Sequence, residues 1–594
     1  MISDFFKKYI AIFICLALSI FLLSKMLLPG YILTLDMVWT PEVPLKWSAD
    51  TPNNTFLVRG VLHALSLAIP SWAVQKILLV TLFFLLFYMP WRFLPFVEGA
   101  YARMFATGIF ALNPFVYTRV LAGQWFHLLG YALFPLLLFA LVRLSQNPNR
   151  RSATIFFLAL SSIGFLSVHF LYLACVVSFL WLFVHIVRDG LKGDLGRAKN
   201  IALFAMIAGF CFLIVNLFWI VPAMTRGAPL EARFDKTYFS AFGAVENGEV
   251  SVMANVAALG GFWGEKLAWR FYFMWPQDSI IFWIAALAIL VLVFYGALHL
   301  FKNPKSRFHA GVLLGIGIVA YITALGMADT PFKSFNLFLY KHVPLWGGLR
   351  DSHKIAGVLA LVYAVFSGVG AGALFAKIKK WNVHVESFVS VAIFALPIIF
   401  GMYLWGGFHG QLKPAWYPEA WYEARVLIDT MPLGEKVLVL PWHGYLSLDF
   451  AENRVVANPA GAFFGYERVV MGRGVEFGNI RDQEVDQAYR DTDAFLLNAE
   501  NLSPKQVLAG LQERNISSIL MIVNPLIPHS EDGLTRWTHF SAENLSADPA
   551  ESAETRSVFK EDDDENDDGA KTWAEMLPQT TTILEDPSLL LKKL

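Results

Sequence analysis

Eleven long apolar runs set the limits on this fold. They lie near 9–28, 74–91, 104–120, 127–143, 153–168, 170–187, 201–221, 279–300, 309–327, 353–376 and 386–406. A helix that crosses a bilayer needs roughly 20 mainly apolar residues, and in lipid only helices or closed barrels can satisfy their own backbones. The runs therefore predict an α-helical polytopic membrane protein of about 11 transmembrane helices over residues 1–409. Asn113-Pro114 interrupts the third run. Composition agrees: charged residues make up 16% of the 594, against roughly 25% in soluble domains. The first run looks like the apolar core of a signal peptide, but it is long, lacks a small-x-small cleavage site and precedes many other runs. We read it as a retained signal-anchor helix. Cys15, Cys175 and Cys211 all fall in apolar runs and read as buried thiols.

Charge orients the runs. With the N-terminus inside, 17 basic residues fall in six short inner segments: Lys7, Lys8, Arg92, Arg103, Arg143, Arg150, Arg151, Arg188, Lys192, Arg197, Lys199, Lys302, Lys305, Arg307, Lys377, Lys379 and Lys380. That bias marks cytoplasmic loops, so the C-terminal part is expected outside the cytoplasm of a cell (cytoplasmic) membrane. The long loops 29–73, 222–278 and 328–352 then all face out, and elaborated loops are where function is sought. Within 222–278, Glu231, Arg233, Asp235 and Lys236 stand among aromatics in Pro229–Phe242, which suits a helix at the interface. A plain connector is the alternative.

Past His409 the chain changes character. Up to His409 there are 31 Lys+Arg and 16 Asp+Glu, a net of +15; from Gly410 the counts are 16 and 31, a net of −15. Such asymmetry predicts two environments. Residues 410–540 read as an extracytoplasmic α/β domain. Val437–Leu440 and Ile516–Val523 are branched apolar strands, and Ser503–Arg514 is a helix opened by Ser503-Pro504. Without cysteine, this part has no disulfide framework. Residues 541–594 form an acidic, largely disordered tail with a last strand near 580–594. In that tail Asp564, Asn566, Asp568 and Glu575 fit a calcium loop, with Gly569 at the turn. The divalent metals considered are Ca, Mg and Mn; the plainer reading is a solvated acidic linker. No internal repeat is present.

Three further clusters carry chemistry. The first outer loop, from Tyr31 to Leu45, holds Asp36 and Glu42 among apolar neighbours. A carboxylate held against a bilayer surface is costly unless used or paired. Partial burial would raise the pKa of Asp36 toward the range of a general base. The plain alternative is a solvated loop residue or a helix cap. In the second cluster, from Asn113 to Tyr131, Arg119, Gln124 and His127 could line a polar pocket; otherwise this is a tight turn with a snorkelling arginine. In the third, from Trp346 to Lys354, Asp351 or Ser352 can cap a helix, while Arg350, His353 and Lys354 gather positive charge where a helix start already favours anions. A lipid-borne phosphate fits there, as does simple anchoring to anionic headgroups.

The sequence has no P-loop, no GxGxxG after a strand, no HExxH and no paired CxxC. That argues against an ATP-driven pump or a nucleotide enzyme. Charges within the runs are sparse, so an ion-coupled transporter lacks its usual markers.

This arrangement resembles the GT-C superfamily of membrane glycosyltransferases. Asp36 matches by position the acidic residue of the superfamily's first outer loop. AGQWFHLLGY (122–131) and LRDSHK (349–354) resemble segments of poorly characterised prokaryotic members, and the second is also similar to the arabinofuranosyltransferases. LVLPWHGY (438–445) and ILEDPS (583–588) look like the tails of the same group. The sequence departs from the pattern in two ways: Asp36 stands beside Met37, not a second acidic residue, and there is no WWD motif. The resemblance implies an inverting glycosyltransferase with a polyprenyl-phosphate-linked sugar as donor and a glycan or glycoprotein acceptor, working at the lipid bilayer without nucleic acid. Asp36 would be the base, and Arg350, Lys354 and Arg119 would hold the phosphate. The alternatives are a lipid or glycan transporter and a non-catalytic scaffold of an envelope glycan assembly complex.

Overall fold

The structure, a computed structural model, describes residues 2–43, 45, 53–225, 236–248, 250–266, 278–379, 383–472, 476–477, 480–481, 487–499, 502–522, 581–586 and 588–594. The tail residues Asp564, Asn566, Asp568 and Glu575 lie outside the described residues, as do 229–235 of the expected interfacial helix and nearly all of the expected disordered stretch.

A helix occupies every one of the eleven predicted places. Among the described residues, ten are long and apolar enough to cross a membrane. The eleventh, Arg150–Leu166, has 17 residues. At about 1.5 Å per residue it reaches about 26 Å, short of a hydrocarbon core of about 30 Å. The third span breaks as its sequence predicts. Ala100–Ala111 ends, Asn113 turns extended and accepts a hydrogen bond from the Val116 amide, and Pro114 opens Pro114–Leu121. The run 127–143 is likewise two helices, Trp125–Ala132 and Phe134–Gln146.

Cys15 is buried, as expected, but Cys211 is half-buried and Cys175 is exposed. The reason is physical: bilayer lipid is as apolar as a protein core, so an apolar run can face outward. Phe179 and Phe183, on the same helix as Cys175, are likewise exposed.

Glycine allows the closest helix contact. Ile280–Lys302 crosses Ala356–Ile378 where Gly296 meets the Phe366 carbonyl and Gly370 meets the Leu292 carbonyl, each so close that a Cβ would overlap the oxygen. Small residues at such crossings let backbones approach in membranes. Gly296→Ala should therefore destabilise the bundle by about 1–3 kcal/mol, the usual cost of overpacking. Thermal unfolding in detergent would show it as a lowered midpoint, and an unchanged midpoint would refute the crossing.

The C-terminal region carries a five-stranded sheet in the order Val469–Val470, Lys436–Leu440, Ile516–Ile522, Leu589–Lys593, Thr581–Asp586. The first three strands are parallel and the last two pair antiparallel. The predicted final strand is thus a hairpin turning between Asp586 and Leu589. Side chains alternate along Lys436–Leu440. Val437 and Val439 join the large core shared with the helical bundle, and Leu438 and Leu440 join a second core. Two helices cover that second face: Gln487–Leu497, through Tyr489 and Leu496, and Pro504–Glu513, through Val507 and Leu511. A reciprocal capping box of Ser503 and Gln506 starts the latter helix.

Candidate functional site

The loop that carries Asp36, after the first span, is pinned on several sides. Tyr31 and Ala415 exchange backbone hydrogen bonds of 2.8 Å, Gln75 grips both backbone groups of Ile32, and the Ala457 amide donates to the Leu35 carbonyl. Apolar Leu33 and Leu35 are buried, which leaves polar Asp36 turned outward at the tip of a tight turn closed by Thr34 and Met37. Gly123 makes this docking possible. Its φ is +73°, and a Cβ there would strike the Thr34 hydroxyl and the Met37 amide. The Asp36 amide donates to the neighbouring Ala122 carbonyl. The AGQ of 122–124 is therefore a seat for the aspartate.

Two side chains hold the Asp36 carboxylate: the Gln124 amide donates to Oδ2 at 3.0 Å and the Tyr445 hydroxyl to Oδ1 at 3.1 Å. Solvent reaches Asp36, yet protein surrounds it on nearly every side, so it lines a recess. That enclosure raises its pKa above the ordinary carboxylate value. The two hydrogen bonds and the charge of Lys354 oppose the rise, and the charge of Asp351 adds to it.

Behind Gln124 lies a buried ionic network. Arg119 donates from Nη1 to the Gln124 side-chain oxygen at 2.7 Å. The same guanidinium grips Asp351 with both Nη atoms, Nη2 to Oδ1 at 2.9 Å and Nη1 to Oδ2. It also stacks 4.6 Å above the Phe262 ring. His353 completes the grip. Its Nε2 is 3.2 Å from the Leu259 carbonyl, which can only accept, so Nε2 carries the proton and Nδ1 accepts from Arg119 Nη2 at 3.0 Å. Arg119 and His353 are fully buried and Asp351 nearly so. Burial alone would push the Asp351 carboxyl up, but Arg119 outweighs it through charge and hydrogen bonds, so the pKa is lowered and the carboxylate is ionised.

Lys354 is also buried, with its ammonium 4.0 Å from Asp351 Oδ2 and within electrostatic range of Asp36. Arg350 lies 5.5 Å from the Phe242 ring and bears on Lys354. His127 sits beside His169, with ring centroids 4.6 Å apart, and its Nδ1 is 3.0 Å from the Ser167 hydroxyl. The segment 250–266 closes this side. In it Glu265 is buried, held by the amides of Gly261 and Phe262 at 3.2 Å and by Asn255, and burial pushes its carboxyl up to about 7.

The structure thus draws Asp36, Gln124, Arg119, His353 and Lys354 together at one end of the bundle, with His127 and Arg350 alongside. Glu42 stands apart: its carboxylate meets Arg425 at 2.7 Å. Asp351 is no helix cap, because its side chain turns to Arg119; Ser352 instead donates to the Ala324 carbonyl. Tyr445, His169 and Glu265 also belong to the site and are missing from the sequence-based set. Among the described residues no three His, Cys, Asp or Glu side chains converge as a metal site.

No family model matches the sequence, and no curated protein matches it. Solved structures do. The arabinofuranosyltransferase AftD from mycobacteria superposes with a TM-score of 0.60 at 14% identity over 98% of this chain. This chain spans 41% of the length of AftD. The archaeal oligosaccharyltransferase AglB from Archaeoglobus fulgidus, in complex with an inhibitory peptide and a dolichol-phosphate, aligns at 0.42 and 12% identity over 85% of this chain and 64% of its own. ArnT from Cupriavidus metallidurans aligns at 0.33 and 11%, over 99% and 98%. The likeness to AftD is one of fold, and it extends over nearly the whole of this chain.

Proposed function

We propose that this chain is an inverting membrane glycosyltransferase that moves a sugar from a polyprenyl-phosphate donor to an acceptor on the outer face of the membrane. One observation carries the reading: a solvent-reached carboxylate, Asp36, is fixed by Gln124 and Tyr445 within electrostatic range of Lys354. The fold shared with the arabinofuranosyltransferase supports it.

In the reaction, an acceptor hydroxyl oxygen bonds to the anomeric carbon as the carbon–oxygen bond to phosphate breaks. The hydroxyl proton passes to Asp36. The donor phosphodiester, with one negative charge, becomes a phosphate monoester with up to two. Lys354 and Arg350 stabilise that added charge, with His127 and His169 beside them. Arg119 is committed to Asp351, Gln124 and His353, so it positions Gln124 and leaves phosphate contact to Lys354. Residues 410–540 form the outer part that presents the acceptor. Asp564, Asn566, Asp568 and Glu575 remain a proposed calcium loop.

The test is reconstitution in sealed vesicles of known orientation with radiolabelled polyprenyl-phosphate sugars. The wild type should transfer label only to acceptor supplied on the outer side. Lys354→Met should lower kcat/KM about 100-fold, the usual cost of removing one charge-stabilising donor. Label reaching acceptor only on the inner side would reverse the orientation, and absence of transfer from every donor would favour a transport or scaffold role.

A further inference from the structure

Two clefts flank the Tyr466 ring on the outer region. The first, of about 480 Å³, opens between the first outer loop and the C-terminal region; the second, of about 560 Å³, lies along the edge strand Val469–Val470. Each is the size of a small-molecule site, roughly 300–1,000 Å³. Tyr466 lines both and is 63% exposed, so its ring is open to a ligand in either cleft. Gly461 lacks the Cβ that would strike the Tyr466 ring.

Both clefts are charged, and both are balanced. Arg59, Arg425 and Arg468 face Glu42, Asp429 and Glu467 in the first. Lys436 and Arg514 face Asp491 and Glu513 in the second. The charges partly pair among themselves, with Arg425 2.7 Å from Glu42 and 3.7 Å from Asp429. Each cleft thus carries a net charge of zero among its lining residues. An anionic polymer finds no excess of positive charge here, and a basic peptide no excess of negative. Fixed carboxylates accept and guanidinium groups donate, which matches the paired donor and acceptor of a sugar hydroxyl. The exposed Tyr466 ring supplies an apolar face of the kind that sugar rings pack against.

The first cleft also leads toward the site. Arg59 lies 5.9 Å from the Phe126 ring, two residues past Gln124. From the charge balance, the shared Tyr466 ring and this approach, we infer that the paired clefts form a groove for an uncharged glycan chain of several sugar units. The transferase reading is needed only for calling that glycan the acceptor; binding is a separate claim.

The full-length chain in lipid nanodiscs should be titrated with neutral arabinose, mannose, glucose and galactose oligomers of graded length. Affinity for at least one series should rise as the chain lengthens from one cleft to both. Tyr466→Ala should weaken it about tenfold and Tyr466→Trp should restore it, which separates stacking from misfolding. Asp36→Asn should bind as the wild type does, so a failed transfer assay leaves this test standing. Length-independent binding, full affinity in Tyr466→Ala, no binding of any neutral series, or tighter binding of acidic glycans or basic peptides would each overturn the groove.

Discussion

Asp36→Asn should reduce kcat for sugar transfer by about 10²–10⁴, the range that a positioned general base contributes, while leaving donor KM within a few-fold. The substitution removes the proton acceptor and little else. An asparagine side chain fills the same space, and its oxygen can still accept from Tyr445 or Gln124. The loop that carries it is held by backbone bonds to Ala122, Ala415 and Ala457, so the fold should survive. The wild-type rate should also depend on pH in a definite direction. The base must be ionised, and the enclosure of Asp36 raises its pKa above the ordinary carboxylate value. Activity should therefore fall as pH drops, with a midpoint above that value, and the Asn variant should lose this limb. Unchanged kcat in Asp36→Asn would remove Asp36 from the chemistry altogether.

Little of that site is local in sequence, which explains what could and could not be read from it. The spans were legible because about 20 apolar residues have few alternatives, and Asn113-Pro114 breaks a helix wherever it falls. The strand Lys436–Leu440 was legible from its branched residues. Arg119, Gln124, Lys354 and Asp36 could be named because each is a polar group next to a membrane run. Their partners could not. Asp351 sits where a helix cap belongs and carries a residue type that caps, so local rules assign it there. Its true partner lies 232 positions earlier, and a buried arginine outcompetes a cap worth about 1 kcal/mol. Tyr445 is 409 positions from Asp36, in another part of the chain, and nothing local to it announces the contact. The charge of Arg119 is visible in sequence and suggests a phosphate contact, whereas the neutralising Asp351 and the acceptor nitrogen of His353 appear only in three dimensions.

Arg119→Ala should destabilise the protein by about 3–5 kcal/mol, because it leaves Asp351 charged and buried without its bidentate partner, with only the Lys354 ammonium 4.0 Å away to offset it. Arg119 has no exposed surface and Asp351 keeps 4%, so water cannot stand in for the lost partner. Asp351→Ala should cost a similar amount for the mirror reason. Replacing both together, Arg119→Met with Asp351→Leu, should recover much of the loss, since buried pairs are often replaceable by apolar groups of similar volume. The recovery would appear in a double-mutant cycle as a coupling well above the 0.3–0.5 kcal/mol scatter of roughly independent sites. Transfer activity should not return with stability. The apolar pair still lacks the Nη1 that holds the Gln124 oxygen, and Gln124 is one of the two groups that aim Asp36. A stable, folded double variant with depressed kcat would therefore separate the two duties of Arg119, the structural one toward Asp351 and the positioning one toward Gln124. A double variant that is both stable and fully active would show that the ionic network serves the fold alone.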